Sequence, residues 1–350
     1  MRVALFDYDL PEECIAQHPA PDREAARLLV LDETIRHHTI AALPDLLPAR
    51  SLVVANDTRV RRARLIAKKP SGGGAEIFLL RPLAAGRWAA MGRASKPFRF
   101  PAELEVLGPA GETTPLRVRL LGRLQDGLLE VELETSEGSV DDAIERFGRV
   151  PLPPYIKRAA GDADAERYQT VFARSIGAVA APTAGLHLSR ALLDRLEACG
   201  HAMTMVTLHV GLGTFQPVTA DDYDDHPMHA ESFEISAEAA RAITAARAQK
   251  RPIVAIGTTV VRALESATNE DGTVRAGGAE TRLLLQPGHV FRGIDVLLTN
   301  FHLPRSTLLA LVCAFGGRER MLGAYAEAVR ERYRFYSYGD AMLIHRGSPK

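Results

Sequence analysis

The sequence predicts an α/β fold: a large domain on a mixed or mostly parallel sheet, with a small antiparallel β-barrel domain inserted into it. Three observations carry this. From about residue 251 strands and helices alternate, IVAIG running into TTVVRALESA and IDVLLTN into STLLALVCAFGG, which implies parallel strands with helices on the sheet faces. Residues 70–135 hold short strand candidates (AEIFLL, RWAAMGR, AELEVLG, PLRVRLLGRL, GLLEVELE) divided by closely spaced turn signals, the pattern of a small barrel or sandwich. Finally, 350 residues exceed one simple core, so two domains are expected. The expected division is a discontinuous α/β domain over 1–66 and 150–350, with the barrel over 67–149.

Composition narrows the classes. Hydrophobic residues make up 46% and charged residues 25%, ordinary for a globular chain. Lys plus Arg and Asp plus Glu both number 43, so nucleic-acid or membrane attraction requires a local patch rather than global charge. Cys14, Cys199 and Cys313 are far apart and form no metal or redox motif, which fits a reducing cytosol. No apolar run approaches membrane-spanning length, and Asp7, Asp9, Glu12 and Glu13 are unlike a signal peptide.

In chain order, VALF reads as a short strand, and Pro11 suits the first turn of a helix. ARLLVLD and SLVVAN read as buried strands, the second breaking at Asn56-Asp57-Thr58. Arg59, Arg61, Arg62, Arg64, Lys68 and Lys69 follow, with no acid from Thr58 to Ala75. Such a run is either a solvated charged strand or a phosphate-binding patch. Its one sign and the adjoining turn make Asp57, Arg59, Arg61, Arg62 and Arg64 candidate substrate contacts. After the β-rich region, Ser139 opens a capped helix, DDAIERFG. VPLPPYI is held extended by its prolines, and Tyr155 and Tyr168 are candidate lining residues.

The stretch from Gly177 to Val218 organises the rest. It opens GAVAAPTAGLH, small residues that let backbone approach a ligand, with Gly185 read as a site of unusual dihedrals. Ser189 caps a helix that Gly200 ends. A strand, MTMVTLHV, then breaks at GLGT. His187 and His209 therefore each sit where a regular element meets a glycine loop, the usual setting of reactive groups. The segment HPMHAE (226–231) reads as a metal site or as acid–base and ribose-contacting groups. The absence of helical His-x3-His spacing and the interruption by Pro227 favour the second reading, so His229 and Glu231 join the candidates. Ser236 starts an Ala-rich helix. Gly257-Thr258-Thr259 ends a strand and begins a helix, offering amides and hydroxyls to an anion, or simply a cap. Arg262 and Glu265 share a face of that helix. RLLLQPGHVF reads as a further strand and turn, and IDVLLTN breaks at Asn300-Phe301-His302. In open α/β sheets ligands bind beyond the carboxyl ends of the strands. His209, Thr258 and Asn300 all fall there, which points to one site.

Taken together, FDYDLPEECIAQHP, VVANDTRVRRARL, VPLPPYI, ERYQTVFA, VAAPTAGLH, VTLHVGLGTFQPV, HPMHAE, AIGTTVVRALESA, LLTNFHLPRSTLLALV and YRFYSYGDAMLI closely resemble the S-adenosylmethionine:tRNA ribosyltransferase-isomerase family of queuosine biosynthesis. The match runs the length of the chain. It departs at Ala178, Leu188, Arg61-Arg62 and Ala25-Ala26, where the family usually has other residues. The resemblance implies an enzyme that moves the ribosyl part of S-adenosylmethionine, a co-substrate, onto 7-aminomethyl-7-deazaguanine in the tRNA anticodon. Epoxyqueuosine forms and adenine and methionine leave. It implies no metal, no membrane, no obligate protein partner, and a cytoplasmic monomer. Such chemistry needs several proton-transfer groups around one ligand. His187, His209, His229, Glu231 and His302 are of suitable type, with base roles assigned to His187 and His209. Thr183, Thr258, Thr259 and Asn300 are expected to hold the methionine and ribose groups, Arg262 to bind substrate, and Arg59, Arg61, Arg62 and Arg64 to meet tRNA phosphates. Tyr336 or Tyr338 is a candidate for stacking on nucleotides. The competing readings are a paralogue with a different deazapurine acceptor, a non-catalytic tRNA-binding module, and a metallohydrolase on His226, His229 and Glu231.

Overall fold

The computed structural model describes residues 1–84, 86–211 and 218–346, Asp162 by its backbone alone. Leu212, Gly213 and Thr214 of the predicted glycine break lie outside the described residues. A nine-stranded mixed sheet forms the larger body. Its order is Gly277–Thr281, Glu231–Ile235, Ala202–Leu208, Leu52–Asn56, Ile253–Ile256, Val296–Asn300, Ala341–His345, Arg27–Leu31 and Ile35–Thr39. The four central strands from Ala202–Leu208 to Val296–Asn300 are mutually parallel. Their carboxyl ends therefore lie on one edge of the sheet. Ala341–His345 runs antiparallel to Val296–Asn300 and parallel to Arg27–Leu31. Of the central strands, Leu52–Asn56, Ile253–Ile256 and Val296–Asn300 are buried throughout, the signature of strands covered on both sides.

Helix ends follow the sequence signals. The Oγ atoms of Ser139, Ser189, Ser236 and Ser306 accept from the backbone N–H three residues on. The helix Arg190–Ala198 stops ahead of Gly200 at φ +82°. Two expectations differ. Val3–Phe6 and Glu12–Cys14 are 3₁₀ turns rather than strand and α-helix, because so short a segment makes its contacts by packing Val3, Phe6 and Cys14 into the core. RLLLQPGHVF contributes no strand, since the ladder to Glu231–Ile235 is completed by Gly277–Thr281 just before it.

The smaller body is a closed six-stranded antiparallel barrel, Arg64–Lys68, Gly74–Ala84, Arg87–Ala94, Ala102–Leu107, Thr113–Arg123 and Leu129–Thr135. Closure removes free edges. Alternate residues such as Leu65, Ile77, Leu79, Leu104, Val118 and Val131 fill its interior. The helix Val140–Phe147 packs Ala143, Ile144 and Phe147 against it. The extended segment after it, with Val150, Leu152 and Ile156 buried beside Tyr168 and Tyr338, returns the chain to the large sheet.

Candidate active site

A cleft, partly open to solvent, lies at the common carboxyl edge of the parallel strands. Ala180 to Ala184 supply one wall, Gly257, Thr258 and Thr259 a second, and Thr299 to Leu303 a third. Tyr155, Tyr336 and Ser337 close it. Beyond the strand Leu52–Asn56, the Asn56 amide nitrogen donates to the Leu208 carbonyl at 2.9 Å and to Thr259 Oγ1 at 3.2 Å. Its oxygen accepts from Leu208 and Thr58 backbone N–H groups. One side chain thus ties three neighbouring strand ends together.

Asn300 is the floor of the cleft. Its Nδ2 lies 3.1 Å from the Tyr336 carbonyl, 3.4 Å from the Asp340 carbonyl and 3.1 Å from His187 Nε2. Carbonyls only accept, so the nitrogen must face them and Oδ1 must face away. Among the described residues Oδ1 is buried with no donor. His187 must then accept at Nε2. Burial, helped by the positive charges of Arg23 and Arg334, lowers its pKa to about 4 and keeps it neutral. His302 lines the cleft, with Nε2 2.9 Å from Thr299 Oγ1. Burial lowers its pKa to about 3. At neutral pH it is an uncharged imidazole.

Of the other predicted groups, Thr183, Thr258, Thr259, Asn300 and His302 line the cleft, while His187 stands behind Asn300. His209 is half-buried to one side. Its Nδ1 is 2.8 Å from Thr58 Oγ1, and burial lowers its pKa against the opposing pull of Asp57 and Glu234. Asp57 is buried, bound by Thr207 Oγ1 at 2.6 Å and Arg174 at 2.7 Å. Arg61 pairs with Asp141 and lies over the Trp88 ring, and Arg64 pairs with Glu76 at 2.8 Å. Arg59 is exposed and Arg62 half-buried. Glu231, His229 and Arg262 belong to a neighbouring pocket, where Glu231 and Arg262 form a buried ion pair. Among the described residues no three His, Cys, Asp or Glu side chains are grouped to hold a metal ion.

Gly185 does not use a left-handed backbone; a Cβ there would meet Thr170 Cγ2 at 2.9 Å, so the requirement is close packing. Gly257, at φ +95°, is the glycine that the cleft wall needs for its conformation. Tyr155 and Tyr336 stack at 4.5 Å between centroids and 25° between planes. The Tyr336 hydroxyl is buried without a partner among the described residues. Tyr338 instead donates to Asp164 at 2.7 Å inside the core. Sequence reading missed Ser337, Thr299 and the strand-tying Asn56. A polar residue ending a buried apolar strand was the available signal for the last two.

Residues 3–344 match the family model described as Queuosine biosynthesis protein. The chain is 52% identical over 351 residues to an S-adenosylmethionine:tRNA ribosyltransferase-isomerase from Anaeromyxobacter sp., covering 99% of each. It is 48% identical over 350 residues to one from Azoarcus sp., covering 97% of this chain and 96% of the other. The crystal structure of S-adenosylmethionine tRNA ribosyltransferase from Thermotoga maritima superimposes with a TM-score of 0.55 at 32% identity, over 97% of this chain and 99% of that one. Full-length agreement in sequence and architecture leads to one conclusion: the chain belongs to the S-adenosylmethionine:tRNA ribosyltransferase-isomerase family.

Proposed function

We infer that this protein is a tRNA-modifying transferase-isomerase. It moves the ribosyl part of S-adenosylmethionine onto 7-aminomethyl-7-deazaguanine in a tRNA anticodon, forming epoxyqueuosine and releasing adenine and methionine. The observation that carries this reading beyond family membership is the cleft itself. Hydroxyls of Thr258 and Thr259, the donor-seeking Oδ1 of Asn300 and the neutral ring of His302 converge where a parallel sheet presents its ligand edge.

S-Adenosylmethionine fits this donor set. Small residues at 180–184 admit its sugar closely, and Asn300 Oδ1 supplies an acceptor for a ribose hydroxyl or an amine N–H. The sulfonium makes the adjoining ribose 5′ carbon acidic. In this reading His302 is the imidazole that lines the cleft and takes that proton, and a bound ligand must first raise its low pKa for it to do so. His187 holds the Asn300 amide in orientation. His209, joined to Thr58, serves proton transfer at the flank, and Thr183 contacts the ligand backbone or sugar. The stacked pair Tyr155–Tyr336 offers a face for a base extruded from the anticodon loop. Arg59 and Arg62 meet tRNA phosphates, with Arg61 and Arg64 first serving the barrel. The protein acts as a cytoplasmic monomer, with no metal and no obligate protein partner.

The test is a product assay: purified protein, S-adenosylmethionine and tRNA carrying the aminomethyl-deazaguanine base, followed by nucleoside digestion and mass spectrometry. Epoxyqueuosine with equimolar adenine is the expected result. Adenine release with unchanged tRNA would transfer the reading to another acceptor. Neither product, with tRNA binding intact, would leave only a binding module.

A further inference from the structure

Beside the cleft lies a second pocket, partly open to solvent, that the family match does not explain. Arg262 projects from the helix Thr258–Ala267 and is 6% exposed. Its Nη1 pairs with Glu231 and its Nε donates to the Leu283 carbonyl at 3.3 Å. Its Nη2 is buried with no acceptor among the described residues. His226 lines the same pocket, and its Nδ1 is likewise buried without a partner. An unmet buried donor is destabilising, the more so on a charged group. The guanidinium nitrogen can only donate, so it marks a place where an acceptor is missing, and the imidazole beside it is a second polar atom left open there.

We propose that this pocket holds the amino-acid arm of S-adenosylmethionine, with its α-carboxylate on the guanidinium of Arg262. The inference rests on the functional reading above. Three observations join the pocket to the cleft. Leu308 lines both. Val210 lines the cleft, and the next residue, Gly211, donates its N–H to Glu231 Oε1 at 3.2 Å. Thr259 lines the cleft, and Arg262 follows on the same helix about 4.5 Å further along its axis. The methionine arm spans four bonds from sulfur to carboxylate carbon, about 5 Å when extended at bond lengths near 1.5 Å.

The chemistry matches. Glu231 occupies one end of the guanidinium fork, and the fork still presents N–H groups in the plane that a carboxylate prefers. The ion pair is neutral as a whole, and the amino-acid head is a zwitterion. A carboxylate on the open Arg262 nitrogen, with the ammonium on the side of Glu231, adds no net charge to the pocket. Leu308 and Leu311 give the intervening methylenes an apolar wall.

Calorimetric titration of the protein with S-adenosylhomocysteine and with 5′-methylthioadenosine, which lacks the amino-acid arm, tests this. S-Adenosylhomocysteine is expected to bind about tenfold tighter or more, the fold-change of one charge-assisted contact. Arg262→Lys keeps a cation beside Glu231 but loses the fork, and is expected to abolish most of that preference while methylthioadenosine binds as before. Thr307→Phe, at a half-exposed position lining the pocket, should produce the same loss without touching Arg262, so a folding defect in the first variant does not spoil the test. Equal binding of both nucleosides by the wild type, or a preference surviving both substitutions, overturns the subsite alone. If neither nucleoside binds and the product assay is also empty, the functional reading falls and the subsite with it.

Discussion

The side-chain amide of Asn300 donates to His187 Nε2 at 3.1 Å, and both groups are buried. Because the same nitrogen faces the Tyr336 and Asp340 carbonyls, the amide cannot turn over. Asn300→Asp would set a carboxylate oxygen against two carbonyls and a ring nitrogen. A destabilisation on the order of 3 kcal/mol is expected in urea unfolding, with activity reduced by at least about tenfold. His187→Gln, which keeps an acceptor, should cost less on both measures.

Stability should fall with acid for a reason legible in two rings. His187 and His302 have pKa values of about 4 and about 3, against an ordinary 6.5. Above pH 6.5 they are neutral whether the chain is folded or not. Below it the unfolded chain takes up protons that the folded chain refuses, so stability drops as pH falls toward the folded values. Each ring is expected to remove about 2 kcal/mol between pH 7.5 and 5. Urea midpoints at the two pH values check this, and the decline should be shallower in His187→Gln.

The arginines after the Asn-Asp-Thr turn should separate into two groups. Arg59→Ala and Arg62→Ala are expected to weaken tRNA binding and to lower the salt slope by about 1 each. Arg61→Ala and Arg64→Ala remove the pairs with Asp141 and Glu76, and should chiefly lower the melting temperature of the barrel. Filter binding across salt concentrations, beside calorimetric melting, distinguishes the two outcomes.

Gly177 is pressed by the His209 ring: a Cβ there would lie 2.6 Å from Cε1 and 2.7 Å from Nδ1. Gly177→Ala must push the imidazole off Thr58. A cost of about 1–3 kcal/mol is expected. If His209 transfers a proton, activity should fall as far as in His209→Ala. Activity that survives in Gly177→Ala would remove His209 from the reaction.

What could be read before the fold was known was whatever is written locally. Serine caps, the turn spacing of the barrel and the strand ends at Thr258 and Asn300 are all short-range patterns that fall where the structure has them, whereas the strand end at His209 lies to one side of the cleft. Partners distant in the chain were not legible. Nothing in the run after Asn56 reveals that Arg61 meets Asp141 80 positions later, or that Tyr338 spends its hydroxyl on Asp164. His187 looked like a base because it ends a glycine loop. Only the arrival of Asn300 from 113 residues away turns its nitrogen to another task.

The strand Arg27–Leu31 is flanked by Ile35–Thr39 and by Ala341–His345, and this sets a timetable for biosynthesis. The barrel strands all lie between residues 64 and 135, and the rest of its core, from Ala143 to Val179, follows within the first 180 residues. The cleft comes later: Asn300 pairs in register with Ala341, and its amide is pinned by carbonyls at 336 and 340. Until residue 345 has left the ribosome, the N-terminal strand pair has no neighbour to dock on. The barrel therefore has its strands early and the cleft is completed last, and reactivity toward S-adenosylmethionine is expected only once synthesis has passed that point.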